Sequence, residues 1–186
     1  VVWGAGLGTI TDGVNPICDI MAVRGPISRA RALSIGRDCP EIYGDPGMLM
    51  PKFYTPKVGC GRHDIGIVPH YVDQFRAYDR YPHIKIIDVF QPIEQVIDDI
   101  ASCEAIYSSS LHGIIIAHAY GIPATWIKIS DSMGGDGTKF RDYFMSVGMD
   151  VSHPMDLREK KDLPPMEAFV PKVDTEAFRK ACPFLI

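Results

Sequence analysis

The chain has 186 residues, 46% hydrophobic and 23% charged, ordinary globular proportions that exclude disorder, collagen and coiled coil. Its 19 basic and 23 acidic residues leave a net charge of −4, so bulk charge points to neither nucleic acid nor an anionic membrane as partner. At ~150 residues per domain the length is little more than one domain.

The chain opens Val1-Val2-Trp3, a strand already under way, which leads to the expectation of a truncated start. A Gly-rich turn follows at Gly4-Ala5-Gly6-Leu7-Gly8. Residues 20–24 read as a second strand, broken by Gly25-Pro26, and Ser28 is placed to cap a helix running through Ser34. Tyr43-Gly44-Asp45-Pro46-Gly47 is a strong turn signal. Pro51, Pro56, Gly59 and Gly61 make an irregular connector, the best candidate boundary or hinge. Asp64–Pro69 and residues 85–90 predict buried strands. Pro92 then starts a helix with Ile93, Val96, Ile97 and Ile100 on its apolar face. Ala105–Ser108 is another strand. Residues 111–120 are apolar nearly all round and stop at Gly121 and Pro123. The Ile114-Ile115-Ile116 run suits a strand equally well in isolation. The strand at Ala124–Ile129 decides for a helix, because strand, helix, strand is the rhythm of a parallel sheet. A Gly134-Gly135-Gly137 loop leads into a helix carrying Phe140, Tyr143, Phe144 and Val147. From about 150 the chain is Pro-rich and charged, predicting a tail over the surface with a short helix near 174–181.

Five cysteines occur without a Cys-x-x-Cys pair. That argues against a disulfide framework or a Cys-rich zinc site and for reduced thiols in the cytosol. No apolar run approaches the ~18–20 residues of a bilayer span.

Four pieces can carry chemistry. Ser108-Ser109-Ser110-Leu111-His112-Gly113 sits where a parallel strand ends and a helix begins. Ligands bind there in open α/β sheets, and a helix N-terminus offers N–H groups to an anion. His112, in the first turn, titrates near neutral pH. The plainer alternative is that Ser110 caps a buried helix and His112 lies on the surface. Arg24, at the next strand end, can hold phosphate or carboxylate in a bidentate fork; a surface arginine paired with an acid is the simpler reading. Lys139 and Arg141, after the Gly-rich loop, suit a lid over an anionic ligand, or a solvated helix start. His70, in Val68-Pro69-His70-Tyr71, could touch substrate or merely bond its turn.

Other motifs fail. A dinucleotide fingerprint needs Gly where Thr9 stands, and its later acidic residue is replaced by the neighbourhood of Arg24. No Walker loop, Gly-x-Ser-x-Gly elbow or His-Glu-x-x-His is present. Asp45-Pro46 reads as a turn and Asp98-Asp99 as a solvated helix face.

Taken in register, six stretches resemble the polysaccharide pyruvyltransferase family, in its exopolysaccharide ketal-pyruvate subgroup. They are Val2–Gly6, Val23–Pro26, Tyr43–Gly47, Val68–Tyr71, Ser109–Gly113 with Ala117 and Gly121–Pro123, and Lys139–Tyr143. The resemblance implies an α/β, GT-B-like fold of two Rossmann-type halves facing across a cleft. It implies transfer of pyruvate from phosphoenolpyruvate (PEP) to two hydroxyls of one sugar, with release of phosphate and no cofactor. The family's Leu-His pair maps to Leu111-His112, and its basic residue for the PEP anion to Arg24. Many members carry Arg before Leu-His; here that position is Ser110, and Lys139, Arg141 or His70 would supply the charge. The implied partners are PEP and a saccharide, lipid-linked in the subgroup, with peripheral association at the inner face of the plasma membrane and a homo-oligomer as further expectations.

The expected organisation is a remnant N-terminal Rossmann-like domain with connector over 1–61, a C-terminal Rossmann-like domain over 62–150, and a tail over 151–186. Two other functions stay open: a GT-B glycosyltransferase using a nucleotide sugar, and an inactive sugar-binding remnant.

Overall fold

Among the residues described by the computed structural model, 1–59, 61–166, 169–172 and 174–184, strands and helices largely alternate. They run β1 (Val2–Ala5), β2 (Ile20–Val23), α1 (Pro26–Ser34), β3 (His63–Val68), α2 (Gln74–Arg80), β4 (Lys85–Ile86), α3 (Ile93–Ala101), β5 (Cys103–Ser108), α4 (Leu111–Ala119), β6 (Ala124–Lys128), α5 (Thr138–Ser146), β7 (Met155–Asp156) and α6 (Glu176–Lys180). Cys60 lies outside the described residues; Cys18, Cys39, Cys103 and Cys182 are free thiols. No helix among the described residues is long and apolar enough to cross a membrane.

Contacts divide the chain into two units. The first comprises Val1–Leu49, Gly135–His153 and Pro171–Ile186; the second comprises Met50–Gly134 and Pro154–Val170. This differs from boundaries drawn in chain order at 61 and 150. Helix α5 returns to the first unit because Asp142 bonds the start of α1. Helix α6 returns because Phe178 stacks on Trp3, ring centroids 4.3 Å apart, while the Trp3 indole N–H donates to the Phe178 carbonyl. The tail is therefore not confined to the surface: Phe178 is 1% exposed.

In the first unit β1 and β2 pair in parallel, Val2 beside Ile20 and Trp3 beside Ala22. Ile20, Val23, Ala32 and Cys39 form its core against α1. The cap predicted at Ser28 lies elsewhere. Gly25 is the N-cap, with extended backbone, and Pro26 occupies the first turn, where its missing N–H costs nothing. The Ser28 side chain sits inside the helix and bonds other elements instead.

The second unit holds an all-parallel five-stranded sheet in the order β4-β3-β5-β6-β7. Counted from β3, that order is second-first-third-fourth-fifth, a Rossmann-like winding that reverses between β3 and β5. Ile67, Tyr107 and Ile127 from the three central strands, with Ile129 and Leu157, are buried in one cluster. Helix α4 is apolar all round because six of its nine residues are buried, Ile114, Ile115 and His118 among them. Three expectations change here. The strand predicted over 85–90 shrinks to Lys85–Ile86. Ile93 is 59% exposed, so the buried face of α3 is Ile97 and Ile100. The tail supplies the edge strand β7 and a fully buried Leu157.

Candidate functional site

Strand order reverses between β3 and β5, and open α/β sheets take their ligands at the carboxyl ends of the strands beside such a reversal. The loops there are Pro69–Asp73 and Ser109–Ser110. Hydrogen bonds lock one to the other. The Ser109 hydroxyl accepts the His70 N–H at 2.8 Å, and the Ser109 N–H donates to the Val68 carbonyl at 3.2 Å. The Ser108 hydroxyl lies 2.8 Å from the carbonyls of both Val68 and Ser110 and accepts the Ser110 N–H. Two of the three serines are thus spent on the scaffold. Ser110 is the N-cap of α4, and its side chain makes no cap bond.

Helix α4 begins close against this scaffold. A Cβ on Gly113 would lie 2.4 Å from the Ser108 hydroxyl and 2.7 Å from Val68, so only glycine permits the approach. Leu111 turns into the core, 6% exposed, while His112 is exposed in the first turn. The His70 ring lies 4.5 Å from that of Tyr71. His118, on the buried side of α4, is pushed down to about 4 by burial, against a hydrogen bond with Ala124 that pulls upward. It is neutral at pH 7 and packs as a core residue.

The remaining expected residues, Arg24, Lys139 and Arg141, lie in the first unit. Arg24 is 8% exposed, at the end of β2. One amino group donates to the Leu7 carbonyl, and the same group stands 3.5 Å from the Asp142 carboxylate. Its Nε is buried without a partner among the described residues. Burial lowers the pKa of the guanidinium, against the attraction of Asp142 and Asp45. Lys139 is lowered by burial first and by repulsion from Arg24 second, so two cations share one region and an anion there would relieve both. Arg141 donates to the Asp136 carbonyl and the Thr138 hydroxyl, at the start of its own helix.

Asp142 is the residue that sequence reasoning passed over. It is fully buried, and Oδ1 accepts the N–H groups of Ile27 and Ser28 at 2.8 and 3.0 Å. Oδ2 accepts the Ser28 hydroxyl at 2.5 Å, and the Ser28 hydroxyl oxygen in turn accepts the Leu7 N–H at 3.0 Å. An internal carboxylate therefore occupies the N-terminus of α1, where the free N–H groups favour an anion. Its one trace in the sequence is an acid flanked by Phe140, Tyr143 and Phe144, all buried. Beside this junction, Gly6, Leu7, Asn15, Cys18 and Ser28 help to line a cleft of about 170 Å³.

Comparison with known proteins agrees with these motifs. The family model described as polysaccharide pyruvyl transferase matches residues 13–131. An uncharacterised protein of Acanthamoeba polyphaga mimivirus is 31% identical over 163 residues, covering 81% of this chain and 55% of the relative. The succinoglycan biosynthesis protein ExoV of Rhizobium meliloti is 28% identical over 156 residues, covering 78% of this chain and 46% of the relative. The chain thus spans about half the length of the curated relatives it matches. No solved structure gives a significant match.

Proposed function

The chain belongs to the polysaccharide pyruvyl transferase family, and on that footing we propose that it transfers pyruvate from PEP to a sugar of a bacterial polysaccharide or of its lipid-linked repeat unit. The product is a pyruvate ketal and the leaving group is phosphate. A GT-B-like architecture and action on the cytoplasmic side belong to the same reading, as does a homo-oligomeric state.

The chemistry sets the requirements. The methylene carbon of PEP takes a proton, which makes the adjacent carbon electrophilic. One sugar hydroxyl attacks that carbon and loses its proton. Phosphate departs with the C–O bond electrons, and the second hydroxyl closes the ketal and loses its proton. A group near neutral pKa serves as acid first and base afterwards. Cations stabilise PEP and the departing phosphate. No cofactor is required by these steps.

His112 takes the acid–base role in this proposal, and the observation that carries it is its exposed place in the first turn of α4, at the reversal of the sheet. Ser110 and Leu111 set that turn, and His70 lines the same reversal. Arg24 and Lys139 bind the PEP anion, supported by their mutual repulsion and by the unpartnered Arg24 Nε. Arg141 supports the start of α5. The test incubates the full-length protein with PEP and an oligosaccharide panel and follows the acceptor by mass spectrometry. A mass gain of one pyruvate less one water supports the reading. Glycosyl transfer in a parallel incubation with nucleotide sugars, with PEP left untouched in the first, replaces it with a glycosyltransferase.

A further inference from the structure

Between β3 and β4 the chain buries polar atoms that have no partner among the described residues. Asp73 and Gln74 are 1% and 4% exposed. One Asp73 oxygen accepts the Ser130 hydroxyl and stands 3.4 Å from Arg76. The other oxygen, and both amide atoms of Gln74, have no partner among the described residues. Buried polar atoms are seldom left unpaired, and three in two consecutive residues ask for something to bind them.

Their place in the fold says what. Asp73 and Gln74 follow β3, and Ser130 follows β6, so the pair sits at the carboxyl rim of the sheet that also carries His70 and the start of α4. Gln74, Ala77 and Tyr81 share one side of α2, and Ala77 and Tyr81 pack into the core. Gln74 is thus the rim end of the inward side. Flanking this inward side, Tyr71, Phe75 and Tyr78, at intervals of four and three, are 59%, 83% and 45% exposed.

We propose that Asp73 and Gln74 form a subsite for hydroxyl groups of the acceptor saccharide, with Tyr71 and Phe75 as the ring surface against which the sugar chain lies. This rests on the proposed function and adds the acceptor's place to it. A sugar hydroxyl both donates and accepts, matching a carboxylate oxygen and an amide that offers two donors and one acceptor. The Asp73 carboxylate repels phosphate and carboxylate, so the subsite selects a neutral polyol over PEP. Exposed aromatic faces suit the C–H faces of a pyranose, since the π face is electron-rich.

The experiment uses the full-length protein and compares wild type with Gln74→Leu and Phe75→Ala. Acceptor KM, PEP KM and Tm are read by initial-rate kinetics and thermal melting, and oligosaccharide affinity without PEP by calorimetry. Loss of one hydrogen bond predicts an acceptor KM and a Kd raised about tenfold in Gln74→Leu. PEP KM stays unchanged, and Tm is unchanged or higher. Phe75→Ala, at a position too exposed to affect folding, raises the acceptor KM in the same way. Unchanged acceptor KM and Kd in both variants overturn the subsite and leave the pair as an internally hydrated core element. A fall in Tm with both KM values moving together in Gln74→Leu, and no effect of Phe75→Ala, overturns it as well. If wild type ignores PEP yet binds the oligosaccharide, and the variants weaken that binding, the subsite stands and the transfer reaction falls.

Discussion

Exposure separates the two histidines of α4. His112 faces outward in the first turn; His118 is 2% exposed. Replacing His112 by alanine in the full-length protein should lower kcat for ketal formation by roughly 100- to 10,000-fold, the range for loss of a general acid–base group, with Tm little changed. Steady-state kinetics beside a melting curve checks both halves. His118 makes a different prediction. Folding holds its ring neutral, with the pKa at about 4 against an ordinary 6.5. The unfolded chain therefore takes up the proton first. Stability from this group is complete above pH 6.5 and is lost as the pH falls from 6.5 to about 4. That depression corresponds to about 3 kcal/mol. Urea unfolding at pH 7 and pH 4.5 should show the loss in wild type and a shallower one in His118→Leu. The sequence singled out His112 by its place at a strand–helix junction. It could not show that Leu111 beside it is core, or that Arg24 is shared with Asp142, because burial and long-range pairing leave no local pattern.

At the scale of elements, two close approaches place the helices that carry the expected site residues. Glycine inside a helix ordinarily costs about 1 kcal/mol relative to alanine. At Gly113 the sign reverses, because an added Cβ would stand 2.4 Å from the Ser108 hydroxyl and 2.7 Å from Val68. At Gly25 a Cβ would stand 1.9 Å from the Asp142 carbonyl oxygen, so α5 could not dock on α1. Each substitution by alanine should destabilise its own unit by about 1–3 kcal/mol or more, the cost of overpacking, as urea unfolding would show. Gly113→Ala should also lower activity, since it displaces the turn that carries His112. Elements whose periodicity matched their burial were legible in the sequence: β2, β3, β5, β6, α4 and α5. Those decided by distant partners were not. Helix α2 turns two aromatic residues, Phe75 and Tyr78, to solvent while it buries Gln74, and β7 is two residues long and exists through pairing with Ile127 and Lys128. Ile93 reads as part of an apolar face, yet it stands 59% exposed at the first position of α3.

For the whole molecule, the parallel Rossmann-like sheet follows from strand, helix, strand spacing, and its reversal between β3 and β5 falls where two of the quoted motifs lie. The assignment of residues to units does not follow from chain order. Segments 135–153 and 171–186 join residues 1–49 through Asp142 and Phe178, contacts between residues more than a hundred positions apart. The proposed chemistry has one direct readout. Inorganic phosphate released from PEP by the full-length protein, assayed with and without an oligosaccharide acceptor, tests it. Acceptor-dependent release is expected, equal in amount to the ketal formed and lowered roughly 100- to 10,000-fold in His112→Ala. PEP left intact with every acceptor, or phosphate released without ketal, would contradict it.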